Sequence, residues 1–180
     1  MKLEKMKLLI GSMERAFFLR PNSSDTGVIG QIFVDLAYDI KKLQRYSDLM
    51  DFLRLGRATG RRPLIVDAGA NIGASSIYFS AECMDSRVIA IEPEAVNFQL
   101  LFENSKGLDI LSLPCAVAAT NKRMHVVETD WGNWGYRTQP AQNETRATDV
   151  NCVTLNEIYQ TCDKDYFPFI VKIDIEGAEK

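Results

Sequence analysis

The sequence has no long apolar run, little histidine and no paired cysteines, and each absence excludes a class of protein. No stretch approaches the ~18 consecutive apolar residues of a membrane-spanning helix, so we expect no membrane span. One histidine and four cysteines without a CxxC spacing do not provide an ordinary set of zinc ligands. We therefore expect no metal site and reduced thiols, as in a cytoplasmic protein.

The sequence also has fewer positively charged than negatively charged residues. The 24 acidic residues outnumber the 21 lysines and arginines, which gives a net charge of −3. Domains that bind nucleic acid usually carry an excess of positive charge, so we expect no nucleic-acid partner. The apolar run Leu8-Leu9-Ile10 is shorter than the ~7–15 residues of a signal-peptide core, which again favours the cytoplasm.

The first sixty residues predict a helical region. Helical spacing over residues 1–19 connects Leu3, Met6, Leu9 or Ile10, Met13 and Phe17. Two further helices are expected, one starting after Ser24 or Asp25 and one over about 43–55. The polar, basic run at 56–63 is the best domain boundary. We therefore predict a helical N-terminal cap over residues 1–60 and a second domain over residues 61–180.

From Pro63 onwards the predicted strands and helices alternate. The predicted strands are Leu64–Asp67, 87–92, about 110–117 and 168–174. Helices are expected to start near Ala74, at Pro93 and at a capping box, Thr154-Leu155-Asn156-Glu157. Such βαβ units predict an α/β fold with a parallel sheet and helices on both faces. Residues 121–150 break the alternation and predict a hairpin or an irregular excursion.

The turn that follows the first of these strands is the most informative stretch. In Asp67-Ala68-Gly69-Ala70-Asn71-Ile72-Gly73, the two glycines let the backbone turn tightly into a helix whose free N–H groups face a ligand. A dinucleotide site would have glycines where this chain has Asn71 and Ala74. A phosphate-binding P-loop would continue with Gly-Lys-Ser/Thr, which is absent here. A nicotinamide dehydrogenase is therefore disfavoured.

Two acidic residues end neighbouring strands of the predicted sheet. Asp67 would face a positive group, such as the ammonium of an amino acid. Glu92 can accept two hydrogen bonds from a ribose diol. S-adenosyl-L-methionine carries both an ammonium group and a ribose, so a carboxylate that binds an ammonium next to one that binds a ribose matches this ligand. Each acid taken alone has a structural alternative, since Asp67 could cap a helix and Glu92 could be a solvated strand end.

Three blocks of sequence resemble the FkbM family of S-adenosylmethionine-dependent methyltransferases. The blocks are Asp-x-Gly-Ala-Asn-x-Gly at 67–73, Ile-Glu-Pro-Glu at 91–94 and Lys-Ile-Asp-x-Glu-Gly-Ala-Glu at 172–179. The resemblance covers about residues 20–180. It implies a class I, Rossmann-like methyltransferase sheet and O-methylation of a sugar, glycolipid or secondary metabolite. One departure is Asn156, where many members have an aspartate after Thr-Leu.

The expected site lies at the carboxyl edge of the sheet, where ligands bind in open α/β folds. The residues expected to bind the cofactor are Asp67, Gly69, Ala70, Asn71, Gly73, Glu92, Pro93, Cys115 and Ala116. Asp174 and Glu176 are the candidate general bases, although Glu176 could merely favour a helix start. Lys172 could orient an anionic group, and Trp131, Trp134 and Tyr136 could stack on a sugar acceptor.

The fourth predicted strand is apolar and lies close to Lys180. The seven strands usual for the fold that the resemblance implies exceed those found here, so we expect a sheet truncated after strand four. Pairing of the open strand-four edge with another chain, including a homo-oligomer, is the alternative. The expected partner is a small-molecule or glycan acceptor. The rival function is a non-catalytic module that binds a cofactor or needs a partner to fold.

Overall fold

The structure is a computed structural model that describes residues 2–11, 13–120, 123–128, 136–140, 149–162 and 164–175. Its strands are β1 (Glu4–Ile10), β2 (Met13–Leu19), β3 (Arg62–Ala68), β4 (Arg87–Ile91), β5 (Ile110–Leu113), β6 (Ala116–Val117), β7 (Met124–Glu128), β8 (Tyr136–Pro140), β9 (Asp149–Val150), β10 (Cys152–Val153) and β11 (Tyr166–Ile173). Its α-helices are α1 (Asp25–Ile29), α2 (Tyr46–Ala58), α3 (Ala74–Glu82), α4 (Ala95–Ser105) and α5 (Leu155–Thr161). A π-helical turn covers Gly30–Val34 and a 3-10 turn covers Ile40–Lys42.

Four parallel strands form the central sheet in the order β11-β3-β4-β5. The inner strands β3 and β4 are buried on both sides, which explains their nearly continuous apolar sequences. Along β3, Ile65 packs into the same apolar cluster as Ile77 of α3, while Val66 packs into the cluster that contains Ile158 of α5. The predicted α/β fold, with a parallel sheet and helices on both faces, is confirmed.

The edge strand β11 contains a shift of register. Pro168 and Ile170 pair with consecutive residues of β3, so Phe169 is an extra residue in the pairing. After the shift, Lys172 lies opposite Asp67. Neighbouring residues in register on adjacent strands project from the same face of a sheet, so the two charged side chains meet.

The N-terminal segment is a β-hairpin, so the helix predicted over residues 1–19 was wrong. The strands β1 and β2 pair antiparallel over their whole length, and Gly11 adopts a φ of +60° in the turn. The hairpin buries Phe17 and Leu19 in the same cluster as α3. The pattern of apolar residues fits a period of two as well as a helical period, and burial of every second residue favours the strand.

The remaining predictions for the cap are met in part. The helix expected after Ser24 or Asp25 starts at Asp25, but α1 passes into the π-helical turn, which ends at Val34. The helix expected over about 43–55 is α2. The division of the chain after residue 60 stays a prediction.

The strand predicted over 110–117 is divided between two sheets, because β5 extends the central sheet while β6 pairs with β10. β7 and β8 form an antiparallel hairpin, as expected for the excursion. Thr154 and Glu157 form the predicted capping box of α5. Trp131 and Trp134 lie outside the described residues, as does the side chain of Tyr136. Within the described ranges, no helix has the length and apolar character that a bilayer crossing needs.

Candidate functional site

A cavity of about 200 Å³ opens at the carboxyl edge of the central sheet. The predicted residues that line it are Gly69, Ala70, Asn71, Glu92, Pro93, Ala116 and Asp174. Three other predicted residues are not part of the lining, namely Asp67, Gly73 and Cys115. Glu176 lies outside the described residues. The structure therefore brings most of the predicted residues together around one cavity.

The N-terminal segment forms a wall of this cavity that sequence reasoning missed. Val28 of α1, Gln31 and Ile32 of the π-helical turn, and Tyr38 line the cavity together with the strand ends. No local sequence pattern signals this role, because it depends on how the cap folds back over the sheet.

The loop between β3 and α3 needs glycine at two positions. Gly69 has a φ of +77° and Gly73 a φ of +89°, and residues with a Cβ rarely adopt such values. A Cβ on Gly69 would collide with the backbone oxygen of Asp174, and one on Gly73 would lie 2.9 Å from Leu101 Cδ1. The glycines therefore let the loop pack directly on the end of β11 and on α4.

Glu92 presents an oriented carboxylate to the cavity. Its side chain is buried just after β4, with Oε2 accepting from the Asn71 N–H at 2.8 Å and Oε1 from the Glu94 N–H at 2.9 Å. Burial raises the pKa of Glu92 to about 7, although the hydrogen bonds from Glu94, Asn71 and Asn97 act in the opposite direction. A carboxylate has about four acceptor positions, so Glu92 keeps capacity for a ligand hydroxyl.

Asp67 is fully buried beneath the loop. Its Oδ2 accepts hydrogen bonds from the hydroxyls of Ser75 and Ser76, both at 2.6 Å, at the start of α3. Lys172 Nζ lies 3.0 Å from Oδ1, in the geometry of an ion pair without a well-aligned hydrogen bond. The structure thus supplies Asp67 with an ammonium from its own chain. The role of Asp67 towards a ligand ammonium stays a prediction.

Lys172 connects Asp67 to the wall of the cavity. Its Nζ donates to the backbone oxygen of Gly69 at 2.7 Å and lies 3.8 Å from Asp174 Oδ2. The hydroxyl of Tyr38 donates to the same Asp174 oxygen at 2.7 Å. Burial, with the hydrogen bond to Asp174, raises the pKa of Tyr38 far above its usual value. The phenol therefore keeps its proton and remains a donor to Asp174.

Two side-chain amides at the cavity have acceptors without a partner. The Oδ1 atoms of Asn71 and Asn97 are buried and receive no hydrogen bond from the described residues. A buried polar atom without a partner is costly, and it is usually satisfied by a water or a ligand. These two oxygens can therefore accept hydrogen bonds from a water or from a ligand in the cavity.

Comparison with known proteins agrees with this geometry. Residues 67–180 match the model of the methyltransferase FkbM domain, which includes the glycine loop and the ends of β4 and β11. The chain belongs to the FkbM methyltransferase family. The resemblance carried by the three blocks of sequence is therefore confirmed.

The chain is also similar to a named methyltransferase. Methyltransferase sdnD of Sordaria araneosa is 32% identical over 94 residues, which make up 50% of this chain. The same residues make up 30% of that protein, so the chain matches less than a third of the relative's length.

Proposed function

We propose that this FkbM-family chain binds S-adenosyl-L-methionine in the cavity and serves in methyl transfer to a hydroxyl group. The observation that carries the proposal is the carboxylate of Glu92. It is held by two backbone N–H groups at the end of β4, and this placement suits a ribose diol. The FkbM domain match supports methyltransferase chemistry, and the sheet order is consistent with a class I methyltransferase.

The neighbours of Glu92 suit the rest of an adenosyl ligand. Asn71 and Asn97 offer acceptors for its hydroxyl or amino donors, while Ile91 and Val117 offer apolar surface for a purine ring. When bound, S-adenosylmethionine supplies a methyl group on a positively charged sulfur. The chain's part is to hold that group and the acceptor oxygen in line, and to keep water away from them.

The proposed acceptor is a hydroxyl of a small molecule or glycan, such as a sugar, glycolipid or secondary metabolite. The amide of Gln31 and the hydroxyl of Tyr38, whose oxygen can still accept a hydrogen bond, give the cavity wall polar groups for this acceptor. Such groups can orient a hydroxylated molecule. The choice of oxygen as the methylated atom rests on these groups and on the family resemblance.

Isothermal titration of the 180-residue chain with S-adenosylmethionine and S-adenosylhomocysteine tests the proposal. We expect the wild-type chain to bind both ligands. Glu92→Ala should weaken both by at least about tenfold, because it removes a charge-assisted hydrogen-bond acceptor. Glu103→Ala is the matched control, since that carboxylate lies on α4 and contacts Lys106 at the surface. No heat at millimolar ligand, from a chain shown to be folded by circular dichroism, would contradict the proposal.

A further inference from the structure

The groups around Asp67 disfavour the binding of a second cation to its carboxylate. Two serine hydroxyls contact its Oδ2, and the ammonium of Lys172 lies 3.0 Å from its Oδ1. A ligand ammonium bound to the same carboxylate would be within a few ångströms of Lys172. Like charges at that separation repel each other strongly in a buried site, where water screens them poorly.

Asp174 has the accessibility that Asp67 lacks. It lines the cavity, and its side chain is 56% exposed. Tyr38 and Lys172 both approach Oδ2, and among the described residues no hydrogen bond or ion pair involves Oδ1. Asp174 therefore has one oxygen held by the protein and one that a ligand can reach.

The charges of the cluster also favour a cation at this position. Asp67 and Asp174 carry two negative charges when ionised, and Lys172 between them carries one positive charge. Glu92, the other acid in the lining, adds further negative character as it ionises. A single ligand ammonium beside Asp174 would balance the cluster of three.

We propose that Asp174, oriented by Tyr38, receives the ammonium of the amino-acid part of the adenosyl ligand. Asp67 does not contact the ligand in this arrangement, and it contributes by holding Lys172 in place. This assignment rests on the proposed function, because it concerns the same S-adenosylmethionine site. It replaces the ammonium partner expected at Asp67, and it gives Asp174 a role in binding instead of the expected role as general base.

Two ligands distinguish binding at the adenosine end of the site from binding at the amino-acid end. S-adenosylhomocysteine and 5′-methylthioadenosine share the adenosine and the sulfur, but only the former carries the amino acid. In isothermal titrations, Asp174→Asn should weaken S-adenosylhomocysteine by about tenfold, the effect of one charge-assisted contact at a half-exposed site. The affinity for methylthioadenosine should change by less than about twofold, since it makes no contact with Asp174.

Asp165→Asn is the matched control, because it is the same exchange at an exposed residue next to the opposite end of β11. It should leave both affinities within about twofold. Tyr38→Phe removes only the hydroxyl that orients Asp174, so it should weaken S-adenosylhomocysteine by about threefold and leave methylthioadenosine unchanged. This selectivity distinguishes positioning of Asp174 from a general loss of structure.

Asp67→Asn should weaken both ligands alike and lower the melting temperature, because it releases Lys172. The proposal is overturned if Asp174→Asn weakens both ligands equally or neither of them. It is also overturned if Asp67→Asn folds and loses S-adenosylhomocysteine selectively. If Asp67→Asn does not fold, the Asp174→Asn comparison decides alone. Failure of the folded wild-type chain to bind either ligand refutes the proposed function itself, which is a different result.

Discussion

The side chain of Asn104 on α4 donates a hydrogen bond from Nδ2 to the backbone oxygen of Ile72 at 2.9 Å. The same amide makes the two hydrogen bonds to Phe18 that a neighbouring strand would make. The Phe18 N–H donates to Oδ1 at 2.7 Å, and Nδ2 donates to the Phe18 oxygen at 3.2 Å. One buried residue thus joins the N-terminal hairpin to the loop at the cavity.

Replacing this amide should destabilise the protein. Asn104→Ala removes three hydrogen bonds and leaves buried backbone groups without partners, so the free energy of unfolding should fall by about 2–4 kcal/mol. Urea denaturation measures the change. The control Asn156→Ala, at an exposed position of α5, should stay within about 0.5 kcal/mol of wild type. An equally small effect at Asn104 would show that the amide does not stabilise the hairpin–loop junction.

Two glycines with nearly the same positive φ allow the cost of that φ to be measured separately from the cost of a steric clash. Gly69 has a φ of +77° and Gly60 a φ of +79°, but no atom lies within 4 Å of a Cβ at Gly60. Gly60→Ala should therefore lower the free energy of unfolding by about 1–2 kcal/mol, the cost of the conformation alone.

Gly69→Ala should cost clearly more than Gly60→Ala, about 3 kcal/mol or more, because the methyl group also displaces the backbone at Asp174. Thermal and urea unfolding of the two variants provide the comparison. Equal losses would mean that the end of β11 shifts freely and that the close approach is unimportant.

The stability of the fold should depend on the ionisation of Glu92. The pKa of this side chain rises from 4.5 to about 7 on burial, so the folded protein holds the proton more tightly than the unfolded chain. Its contribution to stability is complete below pH 4.5 and is lost as the pH rises through 7.

Glu92→Gln does not titrate and serves as the reference. The stability of wild type relative to this variant should fall by up to about 3 kcal/mol as the pH rises from 4.5 to 8. Urea denaturation of both proteins at several pH values measures the difference. A difference that does not vary with pH would contradict a raised pKa at Glu92.

Local patterns were sufficient for the sheet and its glycine loop. The strand before Asp67 is apolar on both faces, and the glycines after it mark a tight turn, so both features are visible within ten residues of sequence. The capping box at Thr154 is equally local. Predictions of this kind succeed when one element carries its own signal.

Features that depend on distant residues could not be predicted. In the hairpin, the apolar positions satisfied two periods, and only pairing between β1 and β2 decided between them. Tyr38 reaches Asp174 across 136 positions of sequence. The burial of Asp67 and its pairing with Lys172 likewise depend on the alignment of β11 with β3. Tertiary contacts, and no local preference, determine these parts of the site.

The extra residue in β11 determines the face of the sheet from which each later side chain of the strand projects. If Phe169 took part in the pairing, Val171 would stand opposite Asp67, and Lys172 would project from the other face of the sheet. A slip of β11 by one residue, which draws Phe169 into the pairing, would therefore reverse the face from which each later side chain projects. It would place an aliphatic side chain against a buried carboxylate and carry the ammonium away from the cavity, while leaving every residue of the charged cluster in the sequence.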